Sequence, residues 1–175
     1  MIYPFEGNWP VIDETAFVAP GALIIGKVEI GPYSSIWYNT VVRGDVDYVR
    51  IGSCTNIQDG SVLHGDVGIP LIIGDRVTAG HMVILHSCVV EDEAFIGMGA
   101  TVLGQAKIGA GAVVGARSLV LEGQEIPPGV LALGSPARVV RALTEEERLR
   151  FRAAADRYMK LARLHTGSLK EMRDQ

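Results

Sequence analysis

Aromatic residues are scarce in this chain, at 6% of its 175 positions, although 48% of the positions are hydrophobic. A core of interleaved large rings is thereby excluded. The apolar content falls on Val, Ile, Leu and Ala, set among 21 glycines, a mixture that suits many short, alike strands joined by tight corners. Cysteine is nearly absent: Cys54 and Cys88 make no disulfide framework, and two thiols in a reducing cytoplasm are expected. Positive charge is not in excess, since 16 Lys and Arg against 20 Asp and Glu leave a formal net charge of −4. That balance argues against a nucleic-acid surface or a polybasic membrane surface. No stretch approaches the roughly 20 apolar residues of a membrane-spanning helix, and Met1–Pro10 lacks the charged start and long apolar run of a signal peptide. No nucleic acid, no membrane and a cytoplasmic location are the expectations.

What is present is a repeat. Steps of six from Ile12 reach Val18, Ile24, Ile30, Ile36 and Val42. A three-residue insertion, read at Tyr48–Arg50, leads to Ile51, Ile57 and Leu63; a four-residue insertion, read at Ile69–Ile72, leads to Ile73, Ala79 and Leu85. After one shortened step, Val90, Ile96, Val102, Ile108, Val114, Val120 and Ile126 follow without interruption. Every position is aliphatic. Gly recurs beside them, as at Gly26, Gly31, Gly52, Gly74, Gly97 and Gly109, where it supplies backbone conformations that a β-carbon would oppose. A period of six does not keep to one face of a 3.6-residue helix. It predicts a mostly β fold: a single-stranded left-handed parallel β-helix of hexapeptide repeats, three faces to a triangular coil of about 18 residues. The aliphatic side chains point inward and stack at about 4.8 Å per coil.

The β-helix is expected over residues 1–135. Residues 136–175 then form an exit loop and a C-terminal α-helix that packs on the prism or on a neighbouring subunit. Leu133–Arg138 reads as the exit loop. Thr144 with Glu147 makes a capping box, and Glu145 and Glu146 suit the positive end of the helix dipole. The helix is expected to run roughly twenty residues to about His165, with Gly167 as its stop. Its packed face is read as Phe151, Ala154, Ala155, Tyr158, Leu161, Ala162 and Leu164.

The coil count then serves as a ruler. Val42, Leu63 and Leu85 occupy one face of successive coils, so the residues after them, Arg43, His64 and His86, stack in one column. Imidazoles on adjacent coils are close enough to share one metal ion at about 2.0–2.1 Å each. His81 follows Ala79 by two and lies one face earlier, near a different edge. A three-fold axis can bring one subunit's His81 edge against the next subunit's His64/His86 edge, giving a shared site at each interface. Three histidines with no thiolate suit the catalytic form of a zinc site, which keeps a fourth position open. His165, on the helix, is read as a surface histidine.

At these residues the sequence resembles the gamma-class carbonic anhydrase family, including its bacterial branch once labelled ferripyochelin-binding proteins. The matching stretches are Val42-Arg43-Gly44-Asp45, Asn56-Ile57-Gln58-Asp59-Gly60, Leu63-His64, Gly80-His81, Leu85-His86, Ile96-Gly97-Met98-Gly99 and Leu133-Gly134-Ser135-Pro136-Ala137. The resemblance covers about residues 10 to 160. It implies a homotrimer with Zn²⁺, or Fe²⁺ or Co²⁺, held between subunits by His64, His81 and His86. It implies reversible hydration of carbon dioxide to bicarbonate, with metal-bound hydroxide as nucleophile. Gln58 would orient the water or substrate, Arg43 would pair with Asp45 or Asp59, and Tyr158 would approach the site from the helix.

Three positions depart from the family pattern. Glutamates that export protons in its best-characterised members are replaced by Val46 and by a short loop, Gly65–Gly68, offering only Asp66. The asparagine before the helix tyrosine is Arg157. Two alternatives stand beside the enzyme: a metal-binding trimeric scaffold of low or no activity, and a hexapeptide acyltransferase that uses coenzyme A and one histidine as general base.

Overall fold

The structure, a computed structural model, describes residues 1–173. The period of six is realised as a left-handed parallel β-helix, a solenoid of about seven turns closed by one C-terminal helix. A 12-stranded sheet wraps two faces of the prism, because the strand Val41–Ile51 turns the corner between them, and an 8-stranded sheet makes the third face. The first face stacks Ile24, Val42, Leu63, Leu85, Val102 and Val120 in register. The second stacks Ile12, Ile30, Ile51, Ile73, Val90, Ile108 and Ile126. The third stacks Val18, Ile36, Ile57, Ala79, Ile96, Val114 and Ala132. These columns form one continuous core, buried throughout except Ile12 and Val18 at the open first coil. Full burial of one Ile or Leu stabilises by about 1.5–3 kcal/mol, so each coil is held mainly by its own inward triplet and those of its neighbours.

Both insertions fall at corners, the first where the strand Val41–Ile51 bends from one face to the next. Val49 and Arg50 pair in register with Val28 and Glu29, so the first insertion bulges between Gly44 and Val49, not at Tyr48–Arg50. Ile72 pairs with Arg50 and Val89. The second therefore lies between His64 and Leu71, where Asp66 and Ile69 close a tight loop by reciprocal backbone hydrogen bonds. The physical reason is that a strand residue sits in a hydrogen-bonded ladder on both sides, whereas a corner can swell without breaking one.

Of the recurrent glycines, Gly26 takes the expected left-handed backbone, with φ +76°, and the others act by close approach. At Gly97 a β-carbon would lie 2.4 Å from the Ala116 nitrogen, and at Gly109 2.5 Å from the Pro128 nitrogen. Close approach of the next coil demands Gly there, not a left-handed backbone. The left-handed positions are divided between other glycines, such as Gly60 and Gly99, and non-glycine residues, among them Cys54, Arg76, Met82 and Gln105.

Beyond Val130 the chain does not leave through a loop. Val130–Gly134 pairs with the third face and then antiparallel with Ala137–Ala142, so a hairpin ends the prism. The helix α1 (Glu145–Arg173) follows. Its capping box is formed: the Thr144 amide donates to Glu147 at 3.0 Å and the Glu147 amide to the Thr144 hydroxyl at 3.2 Å. The helix passes through Gly167, because one helical Gly costs only about 1 kcal/mol and Leu169 beyond it packs on the Phe17–Trp37 cluster.

α1 lies along the third face of its own prism and runs back from late coils to early ones. Phe151 meets Phe95 at 4.8 Å, Asp156 accepts from Arg76 at 3.0 Å, and Tyr158 and His165 reach Trp37. Ala154, Ala155 and Ala162 are buried, but Leu161 and Leu164 are exposed and do not belong to that face. No helix of the described residues is long and apolar enough to cross a membrane.

Candidate metal centre

The first face ends at the corner where Arg43, His64 and His86 stack, each in register with the next. Nε2 of His64 lies 2.9 Å from Oδ1 of Asp45, and the other Asp45 oxygen accepts from Arg43 Nη1. The bulge after Gly44 makes this possible, because it frees Asp45 from strand pairing and turns it back over the column. Partial burial pushes the Asp45 carboxyl up, but hydrogen bonds from Arg43 and His64 outweigh it and hold the group below the usual carboxylate range. Asp45 is therefore an anion that fixes the His64 ring.

With its Nε2 proton given to Asp45, His64 presents Nδ1 as a lone pair. That nitrogen stands 3.3 Å from Nε2 of His86. Two nitrogens facing each other at this distance need a proton or a cation between them. The separation equals the span of two ligands about 2.05 Å from one ion at a tetrahedral angle, roughly 3.3 Å. A carboxylate behind a ligating imidazole is also the usual outer-shell support of a metal histidine. The donor set fits a divalent ion of the zinc kind.

His81 stands at a different corner, between the third and first faces. Its Nδ1–H donates to Oδ2 of Asp59 at 2.7 Å, leaving Nε2 free. Register places Asp59 beneath His81, since Ala79 pairs with Ile57. Among the described residues of one chain, no three His, Cys, Asp or Glu side chains converge as a metal-holding group. One protomer thus unites His64 and His86 and keeps His81 apart.

Gln58 is almost fully buried, and its amide donates to Asn56 Oδ1 at 3.0 Å; Asn56 in turn donates to the Thr78 hydroxyl at 2.9 Å. The sequence pattern quoted Asn56 but gave it no role, although its place two residues before Gln58 along the third face put both on the same side. Tyr158 is half-buried, its ring edge-on to Trp37 at 5.3 Å. Burial pushes its hydroxyl pKa up, and the negative charge of Asp59 adds to the shift, so Tyr158 faces the His81 edge. His165 is not a free surface residue. Its Nδ1 is 2.8 Å from the Tyr38 hydroxyl and its ring stands edge-on to Trp37 at 5.0 Å. The ruler could have found Tyr38, which follows Ile36 as Asp59 follows Ile57 and His81 follows Ala79.

Residues 87–122 match the family described as Bacterial transferase hexapeptide (six repeats). A protein of Geobacillus kaustophilus named Carbonic anhydrase is 55% identical over 147 residues, covering 84% of this chain and 81% of that protein. A Methanocaldococcus jannaschii protein named Probable carbonic anhydrase is 51% identical, covering 87% of this chain and 96% of its own length. Gamma carbonic anhydrase 2, mitochondrial, of Arabidopsis thaliana is 46% identical over 89% of this chain. The chain spans 58% of that plant protein's length. Among solved structures, a Bacillus cereus protein provisionally named an acetyltransferase aligns with a TM-score of 0.94 at 46% identity, over 95% of this chain and 97% of its own. A hexapeptide transferase family protein of Anaplasma phagocytophilum aligns with a TM-score of 0.90 at 44% identity, over 93% and 96%.

Proposed function

The chain belongs to the gamma carbonic anhydrase family, and on that premise we propose that it catalyses the reversible hydration of carbon dioxide to bicarbonate at a metal centre shared between subunits of a homotrimer. The observation that carries this reading is the His64–His86 pair, two ring nitrogens 3.3 Å apart. The third imidazole, His81, is held by its own carboxylate on another edge. A single chain supplies two ligands on one corner and one on another, and a three-fold assembly joins them. Val62 and Ile84, exposed outward on the strands that carry His64 and His86, and Met82 beside His81 are apolar surface that such an assembly would cover.

Zn²⁺ suits three imidazoles, with Fe²⁺ or Co²⁺ as other occupants. When bound, the ion supplies an acidified water as nucleophile near neutral pH. The chain's own residues do the rest. Asp45 and Asp59 fix the rings of His64 and His81 and raise their basicity. Gln58, locked through Asn56, offers its remaining amide capacity for orienting water or carbon dioxide. Arg43 keeps Asp45 ionised, and Tyr158 stands within reach of the Asp59 charge. The two free thiols fit a cytoplasmic setting.

A second reading, a metal-binding trimer of low turnover, is favoured by Val46, an apolar residue exposed in the bulge next to Asp45. One preparation tests both: metal content, mass in solution and carbon dioxide hydration are measured with Zn²⁺ and then with anaerobic Fe²⁺. The expected result is a trimer with one ion per chain and hydration above background. A monomer that keeps full metal overturns the shared site, and full metal without hydration favours the scaffold.

A further inference from the structure

Hydration of carbon dioxide releases one proton per turnover, and Val46 offers no group to carry it. We infer that Tyr38 and His165 form the exit leg for that proton, an inference that rests on the proposed hydration. Tyr38, Asp59 and His81 occupy equivalent places on three successive coils, two residues past Ile36, Ile57 and Ala79. Coils rise about 4.8 Å each, so the column leads from the His81 side of the site down one edge to the Tyr38 ring. There the hydroxyl meets Nδ1 of His165 at 2.8 Å.

The surroundings suit a carrier of protons. Unperturbed, histidine is the side chain that changes charge nearest neutral pH. From the prism, the titratable group facing the imidazole is the Tyr38 hydroxyl, while Trp37 and Phe17 present rings at 5.0 and 6.1 Å. From α1, Tyr158 lies two turns back and shares Trp37. His165 is only half-buried, so it exchanges with buffer.

The step balances. The Tyr38 oxygen accepts a proton from water on the Asp59 side as its own hydroxyl proton passes to Nδ1 of His165. Nε2–H of His165 then goes to buffer. Rotation of the Tyr38 hydroxyl and tautomer exchange with solvent restore the pair, and no electrons move.

Two measurements on the zinc-loaded full chain test this. In dilute buffer, His165→Asn should lower kcat at least about tenfold with kcat/KM unchanged, and concentrated imidazole should restore kcat. A packing role alone would not be rescued by imidazole. Imidazole ¹⁵N NMR of the wild type should show Nδ1 of His165 hydrogen-bonded to the Tyr38 hydroxyl, and Tyr38→Phe should move that resonance. An unmoved resonance, or a His165→Asn enzyme with unchanged kcat in dilute buffer, overturns the relay alone. A wild type without hydration in any buffer overturns the relay together with the reading it rests on.

Discussion

Nδ1 of His64 and Nε2 of His86 lie 3.3 Å apart on consecutive coils whose inward residues, Leu63 and Leu85, are paired in register. The pair is therefore set by the ladder, not by a flexible loop. Replacing either ring leaves the coil intact and the ion short of a ligand. His64→Ala and His86→Ala should each lose nearly all bound metal in elemental analysis, with an unchanged far-UV circular dichroism spectrum.

Asp45 and Asp59 stand behind His64 and His81 at 2.9 and 2.7 Å. Losing a carboxylate of this kind costs about 10- to 100-fold in metal affinity. Asp45→Asn and Asp59→Asn should weaken zinc binding by that factor in competition with a chromophoric chelator. An affinity equal to wild type in both variants would mean that the carboxylates serve packing alone.

The core columns predict stability. Leu85 is fully buried between Leu63 and Val102, and removing such a side chain costs about 2–5 kcal/mol. Leu85→Ala should lower the urea midpoint accordingly. Gly97→Ala should also destabilise, since the added carbon would sit 2.4 Å from the Ala116 backbone and a backbone atom cannot step aside.

The capping box predicts a response to acid. Hydrogen bonds from Arg141 and Thr144 hold the Glu147 carboxyl at about 2, against 4.5 for the free side chain. A depressed native pKa gives stability that is full above pH 4.5 and is lost as pH falls to about 2. Helicity of the wild type should decline over that window, and Glu147→Gln should remove part of the pH dependence there. An identical acid profile in both proteins would count against the cap.

The thiols should differ in reactivity. Burial pushes the Cys88 thiol up to about 12, so little thiolate forms near neutrality. Cys54, on a corner and only partly buried, should react first with a maleimide under native conditions, and Cys88 only after unfolding. Equal labelling of both in the native protein would contradict the burial of Cys88.

Much of the site was legible from the coil count, because equal steps along a solenoid are equal positions in space. That arithmetic stacked Arg43, His64 and His86 and set His81 apart, and the register agrees. It did not find the hold of Asp45 on His64, which depends on where a bulge opens. Nor did it give a role to Asn56, whose hydrogen bonds to Gln58 and Thr78 depend on side-chain rotamers that a repeat period does not encode.

The sequence by itself determined the β-helix, its inward residues and the cap of α1, since each rests on neighbours a few residues or one coil away. Only the tertiary structure decided that the insertions swell corners, that the exit is a hairpin, that α1 continues past Gly167, and that His165 lies against Tyr38 and Trp37. Those outcomes come from the packing of segments far apart in the chain, here 127 positions between Tyr38 and His165, which a local period does not encode.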